Sequence, residues 1–321
     1  MFLHVVALLI VGAMTSLPAD DAAGPAAPFE SAAGAGQPGD HSGLASAEAA
    51  AIVDDARERL FKHQSVRANV REFVALGNRR FQVEGRYLAG PYSPLPHLRI
   101  EYTMRVGDTT GTLVEVCDGQ ILRTMRTIER QGQPTGDEDE DAPPVTEVTR
   151  RDVEKIIEAV RENGASPQTV LQAELGIGGL PALLTSIERA MVFHSVAQES
   201  LGDRPCHVVT ASWKPEFLAG LQQQFQVFGR NLDDYLPDHA RIHFDRETMF
   251  PVRVSYLTKD GGKEAPSVAL LTLEFTDIRL NEPVEMSAFE LETPKDLEEQ
   301  DVTEQYIQAI RGAAAEAAAA P

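Results

Sequence analysis

The amino-acid sequence predicts an α+β protein that combines a large antiparallel sheet with a few helices. The first observation is a series of segments with apolar residues at every second position, as expected for strands whose side chains alternate between two faces. In Leu98–Val106, for example, Ile100, Tyr102 and Met104 share one face, and polar or charged residues separate them. The second observation is that few segments have helical periodicity, too few to cover every apolar strand face. Such a sheet can hold an apolar ligand.

The elements follow one another in a regular order. The predicted helices are Ser46–Lys62 with Ser46 as its cap, Thr149–Glu162 with Thr149 and Asp152 as a capping pair, a helix within Gly176–Met191, Pro215–Leu236 and a weak helix at Val302–Arg311. The predicted strands are Val66–Leu76, Arg79–Leu88, Leu98–Val106, Thr110–Asp118, Ile121–Ile128, Val192–Glu199, Cys206–Trp213, Ala240–Asp245, Phe250–Thr258 and Val268–Leu280, with Ser287–Glu292 as an edge strand. The sheet therefore has about 10–11 strands.

The chain is organised as one folded domain, with a leader and a linker before it and a short tail after it. Residues 1–20 resemble a signal peptide, because Val5–Met14 is an apolar run of suitable length and small residues precede a plausible cleavage point; the alternative is an uncleaved membrane anchor. No cysteine lies near that point, so we expect an exported or periplasmic protein without its own lipid anchor. The remaining segments are a flexible linker at 21–45, a domain at 46–311 that contains an acidic loop at 131–145, and an Ala-rich tail at 312–321.

Charge and cysteine content narrow the possible partners. With 49 acidic and 29 basic residues, the chain carries a formal charge of −20, which disfavours binding to nucleic acid. The two cysteines, Cys117 and Cys206, allow either one disulfide or two buried thiols. We expect a monomer that does not bind nucleic acid.

Motifs for catalysis or cofactor binding are missing from the sequence. It contains no nucleophile elbow, phosphate-binding loop or zinc-protease motif, so we expect a protein that is not an enzyme and needs no cofactor. His239, His243 and Asp245 could be considered as metal ligands, but His243 and Asp245 share a strand face opposite Ile242 and Phe244, and solvent exposure is the simpler interpretation. The acidic loop lacks the ligand spacing of a calcium site.

Candidate ligand contacts come from the apolar strand faces. Burial of apolar area is favourable by roughly 25 cal/mol per Å², and by ~0.8 kcal/mol per CH₂ group, so an acyl chain can bind through area alone. Met104, Tyr102 and Tyr256 suit a site that adapts to its ligand or meets a polar head group. For each candidate the alternative is an ordinary core position. The candidate lining residues are Phe81, Val83, Ile100, Tyr102, Met104, Phe244, Val254, Tyr256, Leu273 and Phe275.

The order of elements resembles the periplasmic lipoprotein-carrier family, that of the lipoprotein-sorting protein LolA. The segments that carry this resemblance are Val66–Val70, Tyr87–Pro91, Leu98–Tyr102, Cys117–Leu122 and Phe289–Pro294. The resemblance implies a half-barrel of antiparallel strands wrapped around helices, with acyl chains held in an apolar hollow. It implies an exported non-catalytic carrier whose partner is a lipid or lipoprotein acyl chain; the alternative is an envelope sensor that binds a membrane protein through the same fold. The added helices, the acidic loop and the charge depart from the family pattern.

Overall fold

Twelve strands form one sheet in the computed structural model, which describes residues 43–76, 79–91, 96–130, 143–162, 179–219, 237–259, 267–308 and 311–312. The strands are β1 Val66–Leu76, β2 Arg79–Ala89, β3 His97–Val106, β4 Thr109–Asp118, β5 Ile121–Arg130, β6 Val145–Asp152, β7 Met191–Leu201, β8 Arg204–Trp213, β9 His239–Asp245, β10 Pro251–Lys259, β11 Ser267–Leu280 and β12 Glu299–Asp301. The helices are α1 Gly43–Lys62, α2 Val153–Glu162 and α3 Gly179–Ala190, with a 3₁₀ helix at Met286–Phe289. Residues 215–219 and 303–308 are also helical.

The sheet is curved, mostly antiparallel and open, and it confirms the predicted α+β fold class. Its strand order is β12-β6-β5-β4-β3-β2-β1-β11-β10-β9-β8-β7. Chain neighbours pair throughout β1–β6 and throughout β7–β11, and the two halves meet where β1 pairs with β11. The strand number exceeds the predicted 10–11 because β6 and β12 were not predicted. Strands β6 and β12 form the one parallel pair in the described sheet.

Helix α1 packs against β7, β8 and α3 through a narrow stripe of small and aliphatic residues. Ala49, Val53, Ala56 and Leu60 are buried at helical spacing, close to the predicted stripe. The predicted cap at Ser46 is wrong, because the helix begins three residues earlier, at Gly43. The Ser46 hydroxyl instead donates a hydrogen bond of 2.7 Å to the Phe193 carbonyl, which ties α1 to β7.

Helix α2 begins later than the predicted Thr149 start. Residues 145–152 form β6, which pairs with β5, and α2 begins at Val153. Asp152 does serve as a cap, since its Oδ1 accepts a hydrogen bond of 3.1 Å from the Lys155 N–H. Helix α3 confirms its predicted apolar stripe, with Leu180, Leu183, Leu184 and Ile187 all buried.

The predicted edge strand at Ser287–Glu292 is wrong. Met286–Phe289 is a 3₁₀ helix instead, and the Phe289 ring is buried edge-on against the His97 ring, with centroids 5.5 Å apart. A Cβ added to Gly90 would lie 3.0 Å from this ring, so Gly90 leaves the space that Phe289 fills. Packing of one aromatic side chain therefore outweighs the extended pattern of this segment.

The two cysteines are buried free thiols rather than a disulfide. Cys117 lies on β4 and Cys206 on β8, and six strands separate β4 from β8 in the sheet. Their registers also place them on opposite faces. Cys117 pairs with Leu98, whose face continues across the paired strands to Ile242 on β9, whereas Cys206 pairs with Asp245 on the other side of β9. Burial raises the pKa of the Cys117 thiol to about 11, which keeps it protonated at neutral pH.

Several predicted segments lie outside the described residues. These are the signal peptide at 1–20, the linker up to residue 42, residues 131–142 of the acidic loop, most of the predicted helix Pro215–Leu236 and the tail from residue 313. The described remainder of the linker, residues 43–45, belongs to α1, and Val145 at the end of the acidic loop begins β6.

The turn between β4 and β5 depends on Asp118. Its Oδ1 accepts hydrogen bonds from the N–H groups of Gln120 (2.9 Å) and Ile121 (2.8 Å), and its Oδ2 accepts one from Arg123 (2.9 Å). Partial burial alone would raise the pKa of Asp118, but these donors outweigh it and hold the pKa below the ordinary value of 3.8.

We expect Asp118→Ala to lower the free energy of unfolding by about 1–2 kcal/mol at pH 7, because two backbone donors lose their acceptor. Since the folded pKa is depressed, this contribution is present above pH 3.8 and disappears as the pH falls through the folded pKa. Urea unfolding at pH 7 and pH 3 measures both effects. Asp118→Asn, which keeps the Oδ1 acceptor, is the control and should lose less stability; equal losses would contradict the assignment to the turn.

Candidate functional site

The ten predicted lining residues lie on one face of the sheet, which we call the inner face. The strand registers show this, because directly paired residues on neighbouring strands point to the same side. Met104 pairs with Val83, Leu273 pairs with Val254, and Phe81 shares its face with Val83. All of them are buried except Tyr256, which is half-buried. Their role in binding remains a prediction.

The centre of the inner face is a row of directly paired side chains that crosses five strands. Along this central row the side chains follow the order Met104, Val83, Glu72, Leu273, Val254, on β3, β2, β1, β11 and β10. Four of the five are apolar. The third is a glutamate, at the position where the two halves of the sheet meet.

Aromatic side chains pack against one another beside this central row. Tyr87 and Phe275 meet edge to face with centroids 6.1 Å apart, and Phe250 meets Phe275 at 5.7 Å in the same arrangement. The Tyr87 hydroxyl accepts a hydrogen bond of 3.1 Å from the Leu180 N–H, which joins the first turn of α3 to the inner face. Helix α3 and the sheet are therefore in direct contact at β2.

Close packing around the central row depends on Gly85. A Cβ at this position would lie 2.1 Å from the backbone oxygen of Glu101 and 2.7 Å from Cδ1 of Tyr102. The Tyr102 ring therefore lies over the glycine, in the space that a side chain on β2 would otherwise occupy. Burial, followed by the charges of Glu72 and Glu115, raises the pKa of Tyr102 well above its ordinary value, so its hydroxyl stays neutral.

Glu72 is the unusual residue of the inner face. It is 0% exposed, and neither carboxyl oxygen has a hydrogen-bond partner among the residues that the structure describes. Burial raises its pKa from 4.5 to about 8, so the protonated, neutral carboxyl predominates at pH 7. A neutral carboxyl has one O–H donor and one carbonyl acceptor.

Glu72 is not among the predicted site residues, although the sequence contains a signal for it. On β1 the inner-face positions read Val66, Ala68, Val70, Glu72 and Val74, so the glutamate is the one charged residue in an apolar series. Val66–Leu76 was correctly predicted as a strand, and its alternation identifies the odd residue without a structure.

A second polar group on the inner face has several side-chain partners and a structural role. Arg151 on β6 donates hydrogen bonds to the Tyr306 hydroxyl (2.9 Å) and to Thr124 (3.0 Å), and it lies 3.5 Å from the Glu115 carboxylate. Burial raises the pKa of Glu115, and Arg151 and Thr124 oppose that rise. This cluster attaches the helical segment 303–308 to the sheet and contrasts with Glu72.

The histidines considered as metal ligands lie on the other face. His243 is opposite Ile242 and Phe244 as predicted, but the expectation that it faces solvent is wrong, because it is 7% exposed. Burial, then Arg241 and Arg253, lowers its pKa to about 4. Within the described ranges no three His, Cys, Asp or Glu side chains are placed to hold a metal ion.

Among the helices of the described part of the chain, none combines the length and apolar character required to cross a bilayer.

No family model and no curated protein matches this chain, but solved structures do. A chain of the Pseudomonas aeruginosa MucA/MucB complex has 12% identity and a TM-score of 0.36, over 76% of this chain and 61% of that one. The Mycobacterium tuberculosis lipoprotein LppX has 13% identity and a TM-score of 0.34, over 76% and 100%. An outer-membrane lipoprotein-sorting protein domain from Vibrio parahaemolyticus has 10% identity and a TM-score of 0.25, over 75% and 97%. A protein of the kind that the sequence resembles is thus among its structural neighbours, and likeness at this level carries no argument about ligand or partner.

Proposed function

We propose that this protein is an exported, non-catalytic carrier that holds the acyl chain of a lipid or lipoprotein against the inner face of its sheet. The observation that carries the proposal is the continuity of that face. Apolar side chains follow one another across β3, β2, β1, β11 and β10, interrupted by one neutral glutamate. The predicted leader at 1–20 supports export, and the chain acts as a monomer in this proposal.

The free energy for binding would come from apolar area. Each buried CH₂ group contributes about 0.8 kcal/mol when it leaves water, and the flexible Met104 side chain can adapt to chains of different shape. The inner face is already buried in the protein without ligand, so an acyl chain exchanges with existing contacts instead of covering bare surface. The net gain is therefore smaller than the full burial energy, which suits a carrier that must release its cargo.

The position of the helices supports such an exchange. By backbone proximity α1 lies mainly over β7 and β8, at one edge of the sheet, whereas the central row lies on β3, β2, β1, β11 and β10. Helix α3 is linked to the inner face by the Tyr87–Leu180 hydrogen bond, and its apolar side chains belong to the same buried core. In our proposal the ligand enters between helix α3 and the inner face without disturbing the packing of α1.

Uptake of 1,2-dioleoylglycerol from phosphatidylcholine vesicles by the full chain tests this function. Native mass spectrometry should detect a protein–lipid complex for the wild type. Met104→Trp is expected to reduce uptake at least several-fold, because the larger ring occupies inner-face space. Thr103→Trp, its exposed neighbour on the opposite face, should take up lipid like the wild type.

Thermal unfolding of each variant shows whether it has folded, so that a loss of uptake is not mistaken for misfolding. A wild-type protein that takes up no lipid would contradict the carrier and would favour the sensor alternative. Equal uptake by both Trp variants would show that lipid binds elsewhere.

A further inference from the structure

Glu72 has a position and an environment that ordinary packing does not explain. Buried polar groups in proteins are almost always hydrogen-bonded, and an unsatisfied one is unfavourable by roughly 1–3 kcal/mol. Both oxygens of Glu72 lack a partner within the described residues, although a valine or leucine would continue the apolar series of β1. The contrast with Glu115, which has Arg151 and Thr124, shows that this fold can partner an inner-face carboxyl.

The surroundings of Glu72 favour a neutral ligand group over a cation. Its direct neighbours are Val83 and Leu273, and the next residues along the central row are Met104 and Val254. The ionisable groups on the nearest strands of this face are the hydroxyls of Tyr87, Tyr102 and Tyr256, with Glu115 further away on β4. A charge here would be poorly solvated, whereas a hydrogen bond between neutral groups requires no charge.

We propose that the Glu72 carboxyl donates a hydrogen bond to the ester or amide carbonyl of an acylated ligand seated on the inner face. This inference rests on the proposed carrier function and names the group that the carrier recognises. Adjacent strands lie about 4.8 Å apart, so apolar side chains extend roughly 10 Å from Glu72 on either side along the central row. An acyl chain on either side would place its carbonyl at the carboxyl, so the site would recognise the linkage and the hydrocarbon together.

A matched pair of lipids separates linkage recognition from hydrocarbon binding. The probes are 1,2-dioleoylglycerol and its ether analogue 1,2-di-O-oleylglycerol, which lacks both carbonyl groups, each offered in phosphatidylcholine vesicles at pH 6.5. The wild type is expected to prefer the ester by roughly three- to tenfold, the range of one buried hydrogen bond. Glu72→Gln keeps an N–H donor and should keep the preference. Glu72→Leu should bind both lipids equally.

The outcomes distinguish this inference from the function on which it rests. A wild type without ester preference, or a Glu72→Leu variant that retains it, would overturn the role of Glu72 and leave the carrier intact. Failure of all three proteins to take up either lipid would overturn both. Oleylamine is the test for a cationic ligand: tighter binding than the ester by the wild type, lost in Glu72→Gln, would make Glu72 an anion for an amine and would overturn the proposal.

Discussion

Raising the pH from 5 to 9 is expected to destabilise the native protein, and Glu72→Gln is expected to remove a large part of that loss. The pKa of Glu72 is about 8 in the folded state against 4.5 ordinarily, so the folded state binds more protons between these values. The contribution to stability is therefore fully present below pH 4.5 and is lost as the pH rises through 8. A shift of this size corresponds to about 3–5 kcal/mol of unfolding free energy.

Urea unfolding of the wild type and Glu72→Gln at pH 5, 7 and 9 measures this effect. Glu115 is also buried and titrates in both proteins, so the difference between their profiles isolates Glu72. Glu84→Gln, at an exposed position on β2, is the control and should follow the wild type. Parallel profiles for the wild type and Glu72→Gln would show that the carboxyl is solvated or partnered in solution.

Gly85→Ala is expected to destabilise the protein by about 3 kcal/mol or more. The new methyl group would lie 2.1 Å from the Glu101 backbone oxygen, and that backbone cannot withdraw without breaking the pairing of β2 and β3. The Tyr102 ring, 2.7 Å away, would also be displaced from the inner face. Thermal unfolding and the yield of folded protein measure the loss.

Gly202→Ala is a suitable comparison because it separates steric overlap from backbone strain. Gly202 has φ +61°, and nothing lies within 4 Å of the position of its missing Cβ. Its replacement should therefore lower stability by about 1 kcal/mol, from the left-handed backbone alone. If Gly85→Ala were as mild, the packing of Tyr102 over the glycine would not contribute as described.

Alternation along the chain predicts most of the sheet, because a strand buried on one face must place its apolar residues two apart. Leu98–Val106 illustrates this, since its apolar positions are those that the structure buries on the inner face. The ten lining candidates fell on a single face for the same reason. Pattern alone cannot show whether such a residue contacts a ligand or belongs to the core.

The elements that the pattern missed depend on contacts between distant segments. Strand β6 places Arg151 at a buried position, which is possible because Glu115 and Tyr306 partner it, and a charged residue there does not suggest a strand. Strand β12 has three residues, too few for any periodicity. Segment 286–289 is shaped by the burial of Phe289.

The pairing of β1 with β11 has a kinetic consequence. Each half of the sheet forms by pairing strands that follow one another along the chain, so most steps have a small entropic cost of loop closure. Val70 on β1 and its partner Phe275 on β11, in contrast, are about 200 residues apart. Non-local pairing of this kind slows folding, so we expect the β1–β11 pairing to form last. Glu72 lies where β1 pairs with β11, so its carboxyl must keep or take up a proton when the two halves of the sheet pair. The refolding rate should therefore depend on pH.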